Sequence, residues 1–276
     1  MCVLSTVNLY DNAYGGFEGD AEAAVRRDTY GEDIGQSSWI TAAAWLQFAD
    51  QLNVRPDSHV LEVGSGSGGP GVYLAAKRGC RVTGVDINEL GVANGQRLAA
   101  AQGLSDRVTF QPIDASRPLP FDDRTFDAVV SNDAMCHIAN RLHVLRDWHR
   151  VLRPGGRMLF TDAMIISGPV TDEELATRSS IGSYVFVPPG ENERLIAAAG
   201  FTLLAADDVT AAAAAMAGRR HDARETWRAA LIEREGSENF AGLQRFLACV
   251  RALSGERRLS RYAYLAEKPL AETRTR

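Results

Sequence analysis

Three groups of residues have side chains and spacings suited to chemistry. The first is the run Val60-Leu-Glu62-Val-Gly64-Ser65-Gly66-Ser-Gly68-Gly69-Pro-Gly71, in which an apolar stretch ends in an acid and enters a glycine-rich turn. Glu62 can address a cationic or amine-bearing group, and the glycines let a ligand lie against bare backbone. The second group is a series of polar residues that close later apolar runs: Asp86, Asp114-Ala115 and Asn132-Asp133. The third is Ser131-Asn-Asp133-Ala-Met-Cys-His137, where an acid and a histidine four residues apart share one face if the segment is helical. Asp133 can then orient the imidazole or bind an ammonium, and His137 can take a proton near neutral pH.

These residues need a frame that brings them together. Apolar runs ending near Glu62, Asp86, Asp114 and Asn132, and a fifth over 157–162 after Leu152-Arg-Pro-Gly-Gly156, read as strands separated by helical segments. That alternation argues an α/β fold with a mainly parallel sheet. Ligands in open α/β sheets bind beyond the carboxyl ends of the strands, where all five runs finish in polar residues. Gly64-x-Gly66-x-x-Gly69 followed by Asp86 also fits a nicotinamide-dinucleotide binder, which keeps an oxidoreductase open as an alternative. Against it, the glycine loop starts some sixty residues into the chain, and the Asn132-Asp133 and Pro-Gly-Gly elements have no role in that reading.

Taken in order, Glu62-x-Gly64-x-Gly66-x-Gly68, Asp86, Asp114-Ala115, Asn132-Asp133 and Leu152-Arg-Pro-Gly-Gly156 resemble the class I S-adenosylmethionine-dependent methyltransferases. The resemblance covers about residues 30–165 well and the rest loosely. It implies a Rossmann-like, seven-stranded, mostly parallel sheet with helices on both faces and an antiparallel last strand. It implies S-adenosylmethionine as cofactor and S-adenosylhomocysteine as product. Glu62, Gly64, Ser65, Gly66 and Gly68 would hold the methionine part, with Asn132 near its amine. Asp86 would accept from the ribose hydroxyls, with Ile87 against the adenine. Asp114 would accept from the adenine amino group, with the Ala115 backbone beside it.

Asp133-Ala-Met-Cys-His137 and Tyr30-Gly-Glu-Asp-Ile34 are similar to elements of a narrower group, the glycine/sarcosine and phosphoethanolamine type of small-molecule methyltransferase. This implies His137 and Asp133 as catalytic candidates, and Tyr30, Gln36 and Ser37 closing over the cofactor. It points first to N-methylation of an amine. O- or C-methylation of a secondary metabolite is the alternative, since other branches carry variants of the same elements.

The remaining segments read as a lid and a cap on one domain. Residues 1–40 show little periodicity but contain Tyr10, Tyr14, Phe17, Tyr30 and Trp39. They form either a poorly ordered arm or a lid that excludes water from the site. Residues 41–164 are the cofactor-binding core, 165–257 an acceptor cap with late core elements, and 258–268 the last strand. Leu142, Leu145, Trp148 and Leu152 mark a helix, and Thr171 with Glu174 marks a capping box. Tyr30, Asp162 at the end of the fifth strand, and Tyr184 in the loop 182–190 are candidate acceptor contacts. Arg257, Arg258 and Arg261 read as a solvated strand edge.

Composition bounds the partners. The chain has 276 residues and a net charge of −5 without a basic patch, which speaks against nucleic acid. No apolar run approaches a bilayer span, and the start Met1-Cys-Val-Leu lacks a basic region followed by an apolar core, so a cytoplasmic protein is expected. Cys2, Cys80, Cys136 and Cys249 lack Cys-x-x-Cys spacing and read as reduced thiols, neither a disulfide framework nor a zinc site. No metal is expected, and the partner is a small-molecule acceptor.

Overall fold

The computed structural model describes Val7 and residues 9–270. Seven strands form one sheet: β1 (His59–Val63), β2 (Arg81–Asp86), β3 (Val108–Pro112), β4 (Phe126–Ser131), β5 (Leu152–Ile166), β6 (Thr202–Asp208) and β7 (Leu259–Glu267). Their order across the sheet is β3-β2-β1-β4-β5-β7-β6. The first five pair in parallel, and β7 runs antiparallel between β5 and β6. Strand order reverses between β1 and β4, so their carboxyl ends splay apart into a crevice. Glu62 and the glycine loop leave β1 there, and Asn132 and Asp133 leave β4.

Alternation along β1 explains how its residues divide. Val60 packs with Val72, Leu74 and Val82 on one face, under helices α3 (Ala42–Gln51), α4 (Gly69–Arg78) and α5 (Glu89–Ala101). Leu61 and Val63 pack on the other face with Leu145 and Trp148 of helix α6 (Arg141–Val151) and with α8 (Glu191–Ala198). Two apolar layers therefore clamp the sheet. Glu62 shares the Val60 face and meets α4, where its Oε2 would lie 2.4 Å from a Cβ on Gly71. Only glycine at that position leaves room for the carboxylate.

Residues before β1 are helical, although their sequence shows little period. Helix α1 (Leu9–Gly15) lies over the cavity at the carboxyl edge of the sheet, and α2 (Asp20–Tyr30) packs against the later helix over 210–226. Their stability comes from tertiary contacts, which a search for period does not see. Tyr30 and Trp39 pack with Met216, Ala217 and Phe246 of the cap. That cap consists of α7 (Asp172–Arg178), α9 (Thr210–Thr226), α10 (Arg228–Glu235) and α11 (Ser237–Gly255). The expected capping box at α7 is present, with Thr171 and Glu174 exchanging hydrogen bonds.

The reading of Arg261 as part of a solvated edge needs correction. β7 lies inside the sheet, flanked by β5 and β6, and Arg261 is 2% exposed. The expectation for Cys2 lies outside the described residues. Cys80, Cys136 and Cys249 are free thiols.

Candidate active site

Lid, sheet edge and cap enclose a cavity of about 570 Å³. Its floor at one end is the glycine loop. Gly64, Gly66 and Gly68 all have positive φ, at 74°, 55° and 74°, a conformation cheap only for glycine. A Cβ on Gly66 would lie 3.1 Å from the Tyr14 hydroxyl of the lid, so the loop is a cradle that side chains would fill. Gly64, Ser65 and Gly66 line the cavity. Gly68 does not: it caps α4, and its Cβ would meet Gly95 Cα at 2.6 Å. Its role is close packing of α4 on α5 rather than ligand contact.

Two carboxylates stand at this end in different states. Glu62 is fully buried, and its Oε2 has no hydrogen-bond partner among the described residues. Burial, with the charge of Asp86 beside it, pushes its carboxyl up to about 8. Asp86 instead accepts from Gly66 N at 2.8 Å through Oδ2 and from Asn88 N at 2.9 Å through Oδ1. Burial raises its pKa and these N–H donors pull it back. An orphaned buried acid beside a bare glycine cradle fits a ligand that brings an ammonium. Further along, Ile87, Asp114 and Ala115 line the cavity. Asp114 is held by Ser116, which keeps its carboxyl below the ordinary value.

Gln36 and Ser37 reach the same end from the segment after the lid. Both ends of the Gln36 amide are taken by backbone, at Ile34 N and Glu32 O, so it shapes its loop. Asn132 and Asp133 also line the cavity, but they form part of a buried network. Arg261 Nη2 donates to Asn132 Oδ1 at 2.8 Å, and Arg261 Nε donates to Asp133 Oδ1 at 2.8 Å. Thr161 Oγ1 sits 2.9 Å from both Asn132 Oδ1 and Asp133 Oδ1, and Trp39 N donates to Asp133 Oδ2.

The expected pairing of Asp133 with His137 does not form. Asp133 has φ 58° and sits in a turn, and only Met135–His137 make a single turn of 3-10 helix. The helical register that would have brought them onto one face is absent. Tyr10 of the lid and the cap loop hold the imidazole instead. Nδ1 lies 2.9 Å from Ser183 O and Nε2 lies 2.8 Å from the Tyr10 hydroxyl. A carbonyl only accepts, so Nδ1 carries the proton, and in the neutral ring Nε2 accepts from Tyr10. Burial depresses the His137 pKa, which keeps that neutral form at neutral pH.

Tyr184 lines the cavity with its ring 4.4 Å from that of His137. Tyr30 and Asp162, the other two expected acceptor contacts, lie outside it. Tyr30 is core, packed between lid and cap. Asp162 is 0% exposed and accepts from Arg141 Nη1 at 2.5 Å and from Asn192 Nδ2 at 2.9 Å. β5 continues past Asp162 to Ile166, so this residue is inside the sheet and not at its end. Residues the sequence did not single out also line the cavity: Arg178, Ile181 and Phe246 at the end away from the glycine loop, and Arg220 beside Ser37. They come from the cap, where helical pattern alone does not say which side faces the cavity.

Among the described residues, no three His, Cys, Asp or Glu side chains converge to hold a metal ion. No helix among them is long and apolar enough to cross a membrane.

Comparison with known proteins agrees with this arrangement. The model of a methyltransferase domain matches residues 61–160. A 27-O-demethylrifamycin SV methyltransferase of Amycolatopsis mediterranei (strain S699) is 28% identical over 263 residues, covering 91% of this chain and 90% of the relative. A sarcosine/dimethylglycine N-methyltransferase of Halorhodospira halochloris is 37% identical over 134 residues, covering 48% of this chain, and the chain spans only about half, 47%, of that relative. Two solved structures share the fold. Phosphoethanolamine N-methyltransferase 2 of Haemonchus contortus has TM-score 0.79 at 19% identity, covering 95% of this chain and 60% of that one. The 4+2 cyclase SpnF has TM-score 0.73 at 20% identity, covering 97% of both. The domain match displaces the oxidoreductase alternative: the chain carries a methyltransferase domain over residues 61–160, on the fold shared by the Haemonchus contortus methyltransferase structure.

Proposed function

We propose that the enzyme methylates a hydroxyl oxygen on a small molecule with a large apolar surface. One observation carries this reading. A buried, neutral imidazole, His137, is locked to the Tyr10 hydroxyl inside a cavity whose acceptor end is mostly aromatic and aliphatic. A neutral amine attacks a methyl sulfonium unaided, whereas a hydroxyl must lose its proton as it attacks.

The donor end suits S-adenosylmethionine. Glu62 and the backbone of Gly64–Gly66 would take its methionine part, with Asn132 and Ser37 beside it. Asp86 would take the ribose, and Ile87, Asp114 and Ala115 the adenine. When bound, the donor supplies an electrophilic methyl on a sulfonium. This chain's residues align the acceptor, exclude water and move one proton. Tyr10 accepts the acceptor's hydroxyl proton while passing its own to His137 Nε2. The imidazolium that results keeps its Nδ1–H on Ser183 O. Asp133, already neutralised by Arg261, holds the loop after β4 and takes no part in the proton transfer.

The relative aligned almost end to end is named for a 27-O-demethylated substrate, which supports oxygen as the acceptor atom. N-methylation of an amine is the second reading, favoured by the shorter match to a sarcosine/dimethylglycine enzyme. Against that reading, the lining acid Asp133 is paired with Arg261, and no other carboxylate among the described residues lines the cavity beside His137 to hold an ammonium. The test is a screen of hydroxylated and amine-bearing small molecules with S-adenosylmethionine, read by mass spectrometry. Methylated hydroxyl products support the proposal. Methylation confined to amines overturns it, and so does a rearranged product of unchanged mass, which would be the chemistry of a cyclase on this fold.

A further inference from the structure

Five arginines are buried among the described residues: Arg141, Arg178, Arg220, Arg224 and Arg261. Three are paired with carboxylates, Arg141 with Asp162, Arg224 with Glu235 and Arg261 with Asp133. Arg178 and Arg220 have no carboxylate partner among the described residues, and both line the cavity. A buried charge without a counter-ion is costly, several kcal/mol after relaxation, so this placement calls for a ligand that supplies the negative charge.

The two arginines face different ends. Arg220 Nη1 donates to Ser37 O at 2.9 Å, in the segment that packs on the glycine loop. It stands at the donor end. Arg178 is 3% exposed and stands at the acceptor end, with Cζ 4.9 Å from the rings of both Tyr184 and Phe246. Its Nη1 has no hydrogen-bond partner among the described residues. Glu174, one turn back on α7, is committed to Arg258 and its capping box, and Asp162 to Arg141. The two rings fix the guanidinium and keep water from it. A planar, preorganised donor of this kind suits a carboxylate.

We propose that Arg178 is an acceptor-binding site for a carboxylate-type monoanion, so that the enzyme selects acidic acceptors over their neutral analogues. This rests on the reading of the cavity as the acceptor pocket of a methyltransferase. It assigns the apolar walls to the acceptor's body, Tyr10 and His137 to its reacting hydroxyl, and Arg178 to a separate acidic group.

The test uses the full chain saturated with S-adenosylhomocysteine, with 4-hydroxybenzoate, 4-hydroxybenzamide and 4-hydroxyphenyl phosphate as probes followed by ligand-detected NMR. The carboxylate is expected to bind at least about tenfold more tightly than the amide, the effect typical of one charge-assisted hydrogen-bonded pair. In Arg178→Met that preference disappears, while Arg178→Lys keeps part of it. S-adenosylhomocysteine affinity is unchanged in both variants, which also shows that they fold. Equal binding of acid and amide, binding of neither, or stronger binding of the phosphate overturns the assignment. So does a parallel loss of S-adenosylhomocysteine affinity in Arg178→Met, because the guanidinium would then serve the donor. Failure of the wild type to bind S-adenosylhomocysteine would instead strike at the methyltransferase reading itself.

Discussion

Arg261 on β7 grips Asp133 in the turn after β4, with Nε 2.8 Å from Oδ1 and Nη2 3.1 Å from Oδ2. The pair is buried, with side-chain exposures of 3% and 10%. It ties β7, which runs antiparallel to both of its neighbours, to the loop that carries Asn132 and leads to His137. Asp133 also sits at φ 58°, a left-handed conformation uncommon outside glycine although aspartate adopts it more readily than most residues.

The first prediction concerns this pair. Removing one partner leaves the other as an unpaired buried charge, which costs about 3–5 kcal/mol. Arg261→Met should therefore destabilise the fold by an amount in that range in urea denaturation. Adding Asp133→Asn should restore part of the loss, because the double variant buries no net charge. A loss below about 1 kcal/mol in the single variant, the level of an exposed pair, would show that the network is not what holds the loop.

A second prediction follows from Glu62. Its carboxyl is raised from 4.5 to about 8 by burial first and by Asp86 second. Between those values the folded protein keeps a proton that the unfolded chain has released. Stability of the free enzyme therefore falls as pH rises through that window. Glu62→Gln should flatten the fall in a series of thermal melts. An ammonium placed beside Glu62 favours its ionised form, so S-adenosylhomocysteine binding should expel a proton. Calorimetry at about pH 7 in buffers of different ionisation enthalpy reads this directly. Identical enthalpies in all buffers would place the ammonium away from Glu62.

The fold was legible because strand patterns and their polar ends are local. Glu62, Asp86, Asp114 and Asn132 each close an apolar run, and the sheet brings those ends to one crevice. Much of the acceptor end was not legible, for three physical reasons. Asp162 and Tyr30 carry plausible chemistry but are consumed by packing and pairing, with Arg141 in one case and the cap in the other. Asp133 and His137 have helical spacing, but the segment turns through a left-handed residue and parts them. Arg261 looked like an ordinary solvated cation, and nothing singled out Arg178 or Arg220, because burial of an arginine depends on partners far away in the chain. The Tyr10–His137 contact spans 127 residues, a distance that no local pattern reports.

A third prediction separates the structural acid from the donor acids. Asp86 lines the cavity and also holds the Gly66 and Asn88 N–H groups. Asp86→Ala should weaken S-adenosylhomocysteine binding by about tenfold or more, the value of a lost charged hydrogen bond plus a loosened loop. Asp162 lies outside the cavity in a buried pair with Arg141. Asp162→Ala should lower the melting temperature strongly, yet the fraction that stays folded should bind S-adenosylhomocysteine as the wild type does. The reverse pattern would move Asp162 into the site and Asp86 out of it.

The last prediction tests the proton path. His137 is held neutral by burial, so its working form persists below the ordinary value of 6.5. With a hydroxyl acceptor, kcat/KM should fall on the acid side with a midpoint below that value, since a base fails as it becomes protonated. General-base assistance is worth about 10²–10⁴ in rate. His137→Ala should lose an amount in that range from kcat with donor affinity spared. Tyr10→Phe removes the group that hands a proton to Nε2 but leaves the ring packing against Tyr14 and His137 intact. If Tyr10 relays the proton, the phenylalanine variant should lose nearly as much as His137→Ala, and the double variant little more than either alone. If instead Tyr10 only orients the imidazole, the phenylalanine variant should keep most of its turnover, and His137 would take the proton directly.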